Sequence, residues 1–163
     1  MDTITLLNLI SVCAPLVHPA TALALVRAES SANPWAVGVV GGRLDRQPAS
    51  LAEAVTTARH LTDAGIHFSA GLAQISRDNF ERLSLDVASA FEPCRNLGAM
   101  QTVLLECLSR APDGSTTQRG LRQGLSCYYS GNFRTGFVHG YVVRVLATAK
   151  RPATLSTPSE QQP

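Results

Sequence analysis

Glu29 is the residue of this sequence best placed to move a proton. It closes the apolar run Ala22-Leu-Ala-Leu-Val-Arg-Ala-Glu29-Ser30, just ahead of the break at Asn33-Pro34. A carboxyl at the end of such a helix is partly desolvated, which disfavours its anion and raises its pKa. A carboxyl that keeps its proton near neutrality can serve as a general acid. By position alone the same residue also reads as a helix-end carboxylate paired with Arg27 or solvent. Two later segments add groups suited to a sugar. Ser69-Ala-Gly71-Leu-Ala-Gln74-Ile75 is a compact apolar turn carrying one hydroxyl and one amide. Gly71 in it permits a close backbone approach or an unusual dihedral. Cys127-Tyr128-Tyr129-Ser130-Gly131-Asn132 sets two phenols before a Gly-Asn turn. Aromatic faces with hydroxyls suit carbohydrate, which has apolar C–H faces and polar edges.

Other chemistries lack their residues. His18, His60, His67 and His139 form no helical i, i+4 pair, so no metal site is expected. No Gly-x-x-x-x-Gly-Lys loop is present to hold phosphate, and no cofactor is expected. Asp45, Asp63 and Asp78 are the candidates for a second carboxylate, but none sits in an apolar motif, and Asp78 reads as a helix cap. The four cysteines, Cys13, Cys94, Cys107 and Cys127, make no Cys-x-x-Cys pair, and none has the basic, helix-start setting of a nucleophile. Their even number allows two disulfides in three connectivities, or four buried thiols.

The elements that must position these groups are mostly helices. Leu6, Leu9, Ile10 and Cys13 recur at helical spacing, predicting a helix over 3–13, and Pro19 opens a second that runs to about Ser30. Gly38, Gly41 and Gly42 among valines predict a loop or small β-hairpin around residues 36–48. Ser50 with Glu53 is a capping-box pattern that opens a helix to about Ala64. Residues 66–76 read as a buried turn or short extended piece, with short helices near 77–83 and 86–90. Leu97, Met100, Leu104 and Leu108 mark one face of a helix over 96–109. Helices over 117–128 and 141–148 follow, with a loop holding one turn of structure between Gly131 and Gly140. Residues 1–150 are expected to form one domain and 151–163, with three prolines among polar residues, a disordered tail.

Composition agrees with a compact helical domain. The chain has 163 residues, 45% of them hydrophobic and 16% charged, enough to bury a core. Asn8, His18 and Arg27 interrupt its greasiest stretch, so no membrane span is expected. A net charge of only +2 speaks against nucleic acid as a partner. The charge is nonetheless uneven: residues 110–151 hold six Arg and Lys150 against Asp113 alone, a basic third that can attract an acidic polymer or simply face solvent. The first residues carry Asp2 and no Lys or Arg, so the positive start of an export leader is not evident.

Taken in order, the three motifs resemble those of lytic transglycosylases of the goose-type lysozyme superfamily, above all the members that accompany type IV secretion and conjugation systems. The phrases Cys13-Ala-Pro15, Val17-His18-Pro19, Phe91-Glu-Pro93-Cys94-Arg-Asn96-Leu97 and Gly140-Tyr141-Val-Val-Arg144-Val145 carry the likeness across residues 6–148. The sequence departs from the usual pattern at Ala73, where Met is frequent, at Ser76, where Asn is common, and at Tyr129, where many members have Asn. The resemblance implies a mainly α, lysozyme-like fold and a single catalytic carboxyl, matched by Glu29. It implies substrate contacts at Ser69, Gln74, Tyr128, Tyr129 and Tyr141. The expected substrate is peptidoglycan, cleaved between N-acetylmuramic acid and N-acetylglucosamine with a 1,6-anhydro product. The expected setting is the periplasm, beside subunits of a secretion or conjugation apparatus. A non-catalytic wall-binding or scaffolding component of the same apparatus is the alternative.

Overall fold

A computed structural model describes residues 1–150; the expected tail, 151–163, lies outside the described residues. Seven helices and a small three-stranded sheet follow one another along the chain. Helix α1 (Thr3–Cys13) is started by the Asp2 carboxylate, which accepts from the Thr5 amide at 2.9 Å. Helix α2 (Pro19–Ser30) has Pro at its first turn, where the missing N–H costs nothing, and ends on Ser31 in the left-handed conformation. Strand β1 (Val37–Val39) leads to α3 (Leu51–Asp63), then β2 (Phe68–Ala70) and β3 (Ile75–Ser76). Three single 3₁₀ turns, Arg77–Asn79, Glu81–Leu83 and Ser89–Phe91, connect to α4 (Pro93–Ser109). Helices α5 (Gln118–Ser130), α6 (Thr135–Val138) and α7 (Tyr141–Ala149) complete the described chain.

Helix α2 is central. Ala22, Ala24, Leu25 and Val26 are buried along it, and it packs on α1 and α7, while α4 packs on α1 and α5. Disulfides tie this arrangement together twice. Cys13–Cys94 fastens the end of α1 to the start of α4, and Cys107–Cys127 fastens α4 to α5. Gly124 lets those two helices meet closely, since a Cβ there would lie 2.5 Å from the Leu108 side chain.

Two expectations need correction. Residues 36–48 do not form a hairpin with one another; β1 pairs antiparallel with β2, in the order β1-β2-β3, with Gly38 opposite Ser69. The returning chain meets β1 through a side chain instead: the Gln47 amide donates to the Val37 carbonyl and accepts from its N–H at 2.8 Å, filling the place of a strand partner. Asp78 is not the cap of its turn. Ser76 fills that position, and the Asp78 carboxylate faces His67 at 3.1 Å on the surface. The Ser50 cap forms as expected, although Glu53 reaches the Ala49 N–H and Arg46 rather than completing the box on Ser50.

Candidate active site

The end of α2, the small sheet and α5 enclose a cavity of about 390 Å³ that holds five of the six residues singled out from the sequence. Glu29, Ser69, Gln74, Tyr128 and Tyr129 line it, together with Gly38, Val39, Val40, Ile75, Ser76, Asn79 and Val103. Tyr141 is buried behind Glu29 and donates its phenolic proton to Glu29 Oε1 at 2.5 Å. Three stretches separated by some forty to fifty residues therefore converge on one carboxyl.

Burial dominates the electrostatics of Glu29. Desolvation pushes its pKa up to about 7, against the smaller opposing effects of the Tyr141 hydrogen bond and the positive Arg144. Burial also raises the Tyr141 and Tyr128 phenols, helped by the Glu29 charge, so both stay protonated as donors. Glu29 is the one carboxylate among the described residues that line the cavity. Asp45 and Asp63 are exposed and stand away from it, and Asp78 is engaged with His67.

The opposite wall is a turn held in a rare conformation. Gly71 has φ +79°, and a Cβ there would lie 2.4 Å from Asn96 Nδ2 and 2.7 Å from the Ala90 carbonyl; only glycine fits. Gln74 is also left-handed, at φ +49°, and its amide nitrogen donates to the carbonyls of Ala36 and Gly71. That conformation aims Oε1 over β1 where Gly38 leaves room, since a Cβ on Gly38 would come within 2.5 Å of it. Ser30 ties the end of α2 to this turn by donating to the Leu72 carbonyl at 2.7 Å. Tyr128 ties α5 to it by donating to the Ala73 carbonyl at 2.7 Å.

Asn96 is the positioning residue that motif reading passed over. Fully buried on α4, it donates to the carbonyls of Ala70 and Ala90 and accepts from the Ala73 N–H at 2.8 Å. Two of its three hydrogen bonds go to the turn and the third ties it to the Ser89–Phe91 segment, so it does for the loop what a strand partner would do. Its signal was present: Asn96 lies four and eight residues before Met100 and Leu104, a lone amide on an apolar stripe. Val103 in the cavity wall carried no such signal.

Tyr129 and Tyr141 stack, with ring centres 4.6 Å apart and planes 17° from parallel, and Arg144 lies 5.5 Å from the centre of the Tyr141 ring. The Tyr129 hydroxyl meets His139 Nδ1 at 3.2 Å. No other potential ligand cluster competes for attention: among the described residues no group of three His, Cys, Asp or Glu side chains converges on a metal-sized site. No helix of the described chain is long and apolar enough to cross a membrane.

Comparison with known proteins gives this geometry relatives. The chain is 46% identical to the type IV secretion system protein virB1 of Brucella abortus over 144 residues, which are 84% of this chain and 60% of that protein. It is 35% identical to the protein virB1 of Rhizobium radiobacter over 155 residues, 91% of this chain and 63% of that one. The protein virB1 of Agrobacterium fabrum is 32% identical over 141 residues, 85% and 57% of the two chains. The chain thus spans about 60% of the length of the curated relatives it matches. No solved structure matches it significantly. The family model of the transglycosylase SLT domain matches residues 11–142, a stretch that contains Glu29, the Gly71 turn, the two tyrosines of α5 and Tyr141. This chain belongs to the transglycosylase SLT domain family.

Proposed function

We propose that the protein is a lytic transglycosylase that cleaves the β-1,4 bond between N-acetylmuramic acid and N-acetylglucosamine in peptidoglycan. The observation that carries the reading is Glu29: a carboxyl pushed up to about 7, hydrogen-bonded by Tyr141, at the floor of an otherwise carboxylate-free cavity wall. Near neutrality it can protonate the glycosidic oxygen, so that the C1–O bond breaks, the N-acetylglucosamine end departs with that proton and Glu29 is left as a carboxylate. The resulting carboxylate, accepting from Tyr141, then takes the proton of the muramyl C6 hydroxyl as O6 closes onto C1. Ordinary glycosidases place a second carboxylate across the bond as nucleophile or base. Attack from within the sugar makes that group unnecessary, which is why a single carboxyl supports this reaction over direct hydrolysis.

The substrate contacts follow from which polar atoms remain uncommitted. Ser69 on β2 and Oε1 of Gln74 face the sugar from the sheet, and the ring of Tyr128 and the half-exposed ring of Tyr129 face it from α5. Tyr141 acts from behind, through Glu29. The kinship with virB1 proteins of type IV secretion supports a role in opening the wall locally for a secretion or conjugation machine. The two disulfides favour an oxidising compartment, so the reading places the protein in the periplasm.

The test is a digest of purified peptidoglycan with released muropeptides resolved by mass spectrometry, beside a Glu29→Gln control. Anhydro-ended products that vanish in the control are expected. Hydrated reducing ends would replace the reading by a lysozyme-type hydrolysis. No release, with the fold and wall binding intact, would favour a scaffold.

A further inference from the structure

Tyr141 must present its hydroxyl to Glu29 at one position, yet its phenol is reached from outside by an aromatic chain. His139 ends α6 and meets the Tyr129 hydroxyl at 3.2 Å, with the rings edge to face at 5.9 Å. Tyr129 in turn stacks on Tyr141. The backbone of the same histidine holds a second support, because its carbonyl accepts from Arg144 at 3.4 Å, and that guanidinium lies against the Tyr141 ring. His139 is exposed and is not among the groups that shift the Glu29 carboxyl. Tyr129 is 41% exposed at the rim of the cavity, so without a partner at its hydroxyl the ring has open space to swing into.

We propose that His139 is a positioning residue: by fixing the Tyr129 ring through its hydroxyl it holds Tyr141 in register with Glu29. The proposal rests on the reading of Glu29 as the general acid. A ring packed on one side and free on the other has a soft torsion, and the hydrogen bond to His139 removes that freedom. Stacked rings with planes 17° apart move together, so the constraint passes to Tyr141. The ionisable groups that face Glu29 are Tyr141 and Arg144 from α7 and Tyr128 from α5. Of these, Tyr141 and Arg144 are the two that His139 supports.

The consequence has a readout that a purely structural role would not produce. The Tyr141 hydrogen bond favours the ionised Glu29, so loosening it raises the pKa of the acid. His139→Ala is expected to lower kcat about three- to tenfold, the range of one lost hydrogen bond, and to move the alkaline limb of kcat/KM to higher pH. Tyr129→Phe keeps the stack and deletes the hydroxyl, and should give the same limb shift. The double variant should be no worse than either single one, because both cut the same link. His139→Gln, whose amide also reaches a phenol, should recover activity. Full activity and an unmoved limb in His139→Ala would overturn the proposal, as would additive losses in the double variant. Glu29→Gln run alongside separates the two readings. If it stays active, the assignment of the acid fails; if it is dead while His139→Ala is unaffected, only the positioning role fails.

Discussion

At the scale of single residues, the proposed chemistry turns on keeping one carboxyl both buried and protonated. Burial shifts Glu29 from 4.5 to about 7, and the sign of that shift makes two predictions. A general acid must hold its proton, so kcat/KM should fall as pH rises through about 7, measured as release of soluble muropeptides across a pH series. The same burial weakens the fold. Between the unfolded pKa of 4.5 and the folded value near 7 the native protein keeps a proton that the unfolded chain releases, so stability declines as pH rises across that window and is flat above it. Glu29→Gln keeps the shape without the charge. It should lose about a hundredfold or more in kcat yet gain about 2–3 kcal/mol of stability at pH 8, and little at pH 4, in denaturant titrations. An acid chosen for packing alone would show no such opposition between activity and stability.

At the scale of elements, the site depends on a turn that cannot hold itself. The segment from Ala70 to Gln74 has two left-handed residues and almost no ladder of its own, and it is shaped by side chains from three other places, Asn96, Ser30 and Tyr128, and by its own Gln74. Gly71→Ala should cost at least about 3 kcal/mol, because it adds a disfavoured positive φ to a clash with Asn96 and the Ala90 carbonyl. Asn96→Ala should cost a similar amount by leaving three buried backbone groups without partners. Thermal melts of both variants test this. Activity measured well below each melting temperature should remain depressed, since Gln74 and Ala73 lose the wall that aims them.

At the scale of the whole molecule, two cross-links close loops of very different size around the same helix. Cys13 and Cys94 are 81 residues apart and Cys107 and Cys127 are 20 apart. The chain-entropy model gives about 4–5 kcal/mol for the larger loop and about 3 for the smaller. Replacing Cys13 and Cys94 together with alanine should therefore lower the unfolding midpoint more than replacing Cys107 and Cys127. A larger loss from the second pair would mean that the buried sulfur packing between α4 and α5 outweighs the loop it closes. The longer link also joins α1 to α4, the helix that carries Asn96, so its loss should reach the active site while loss of the exposed surface pair Arg46–Glu53 should not.

The sequence by itself determined the helices, because their signals are local: periodic apolar residues, Pro19 at a first turn, Ser50 as a cap. It also singled out Glu29, because a carboxylate closing an apolar helix is visible without knowing what surrounds it. Only the tertiary structure decided what depends on distant partners. It paired β1 with β2 instead of with residues 40–48, because Gln47 satisfies β1 where a hairpin strand would have done so. It chose one of three disulfide connectivities, through the packing of α4 against α1 and α5. It placed Tyr141, 112 residues further along the chain, on Glu29, and joined His139 to it through Tyr129. Spacing along a chain records which residues share a helix face, but a hydrogen bond across the molecule is fixed by how those faces pack.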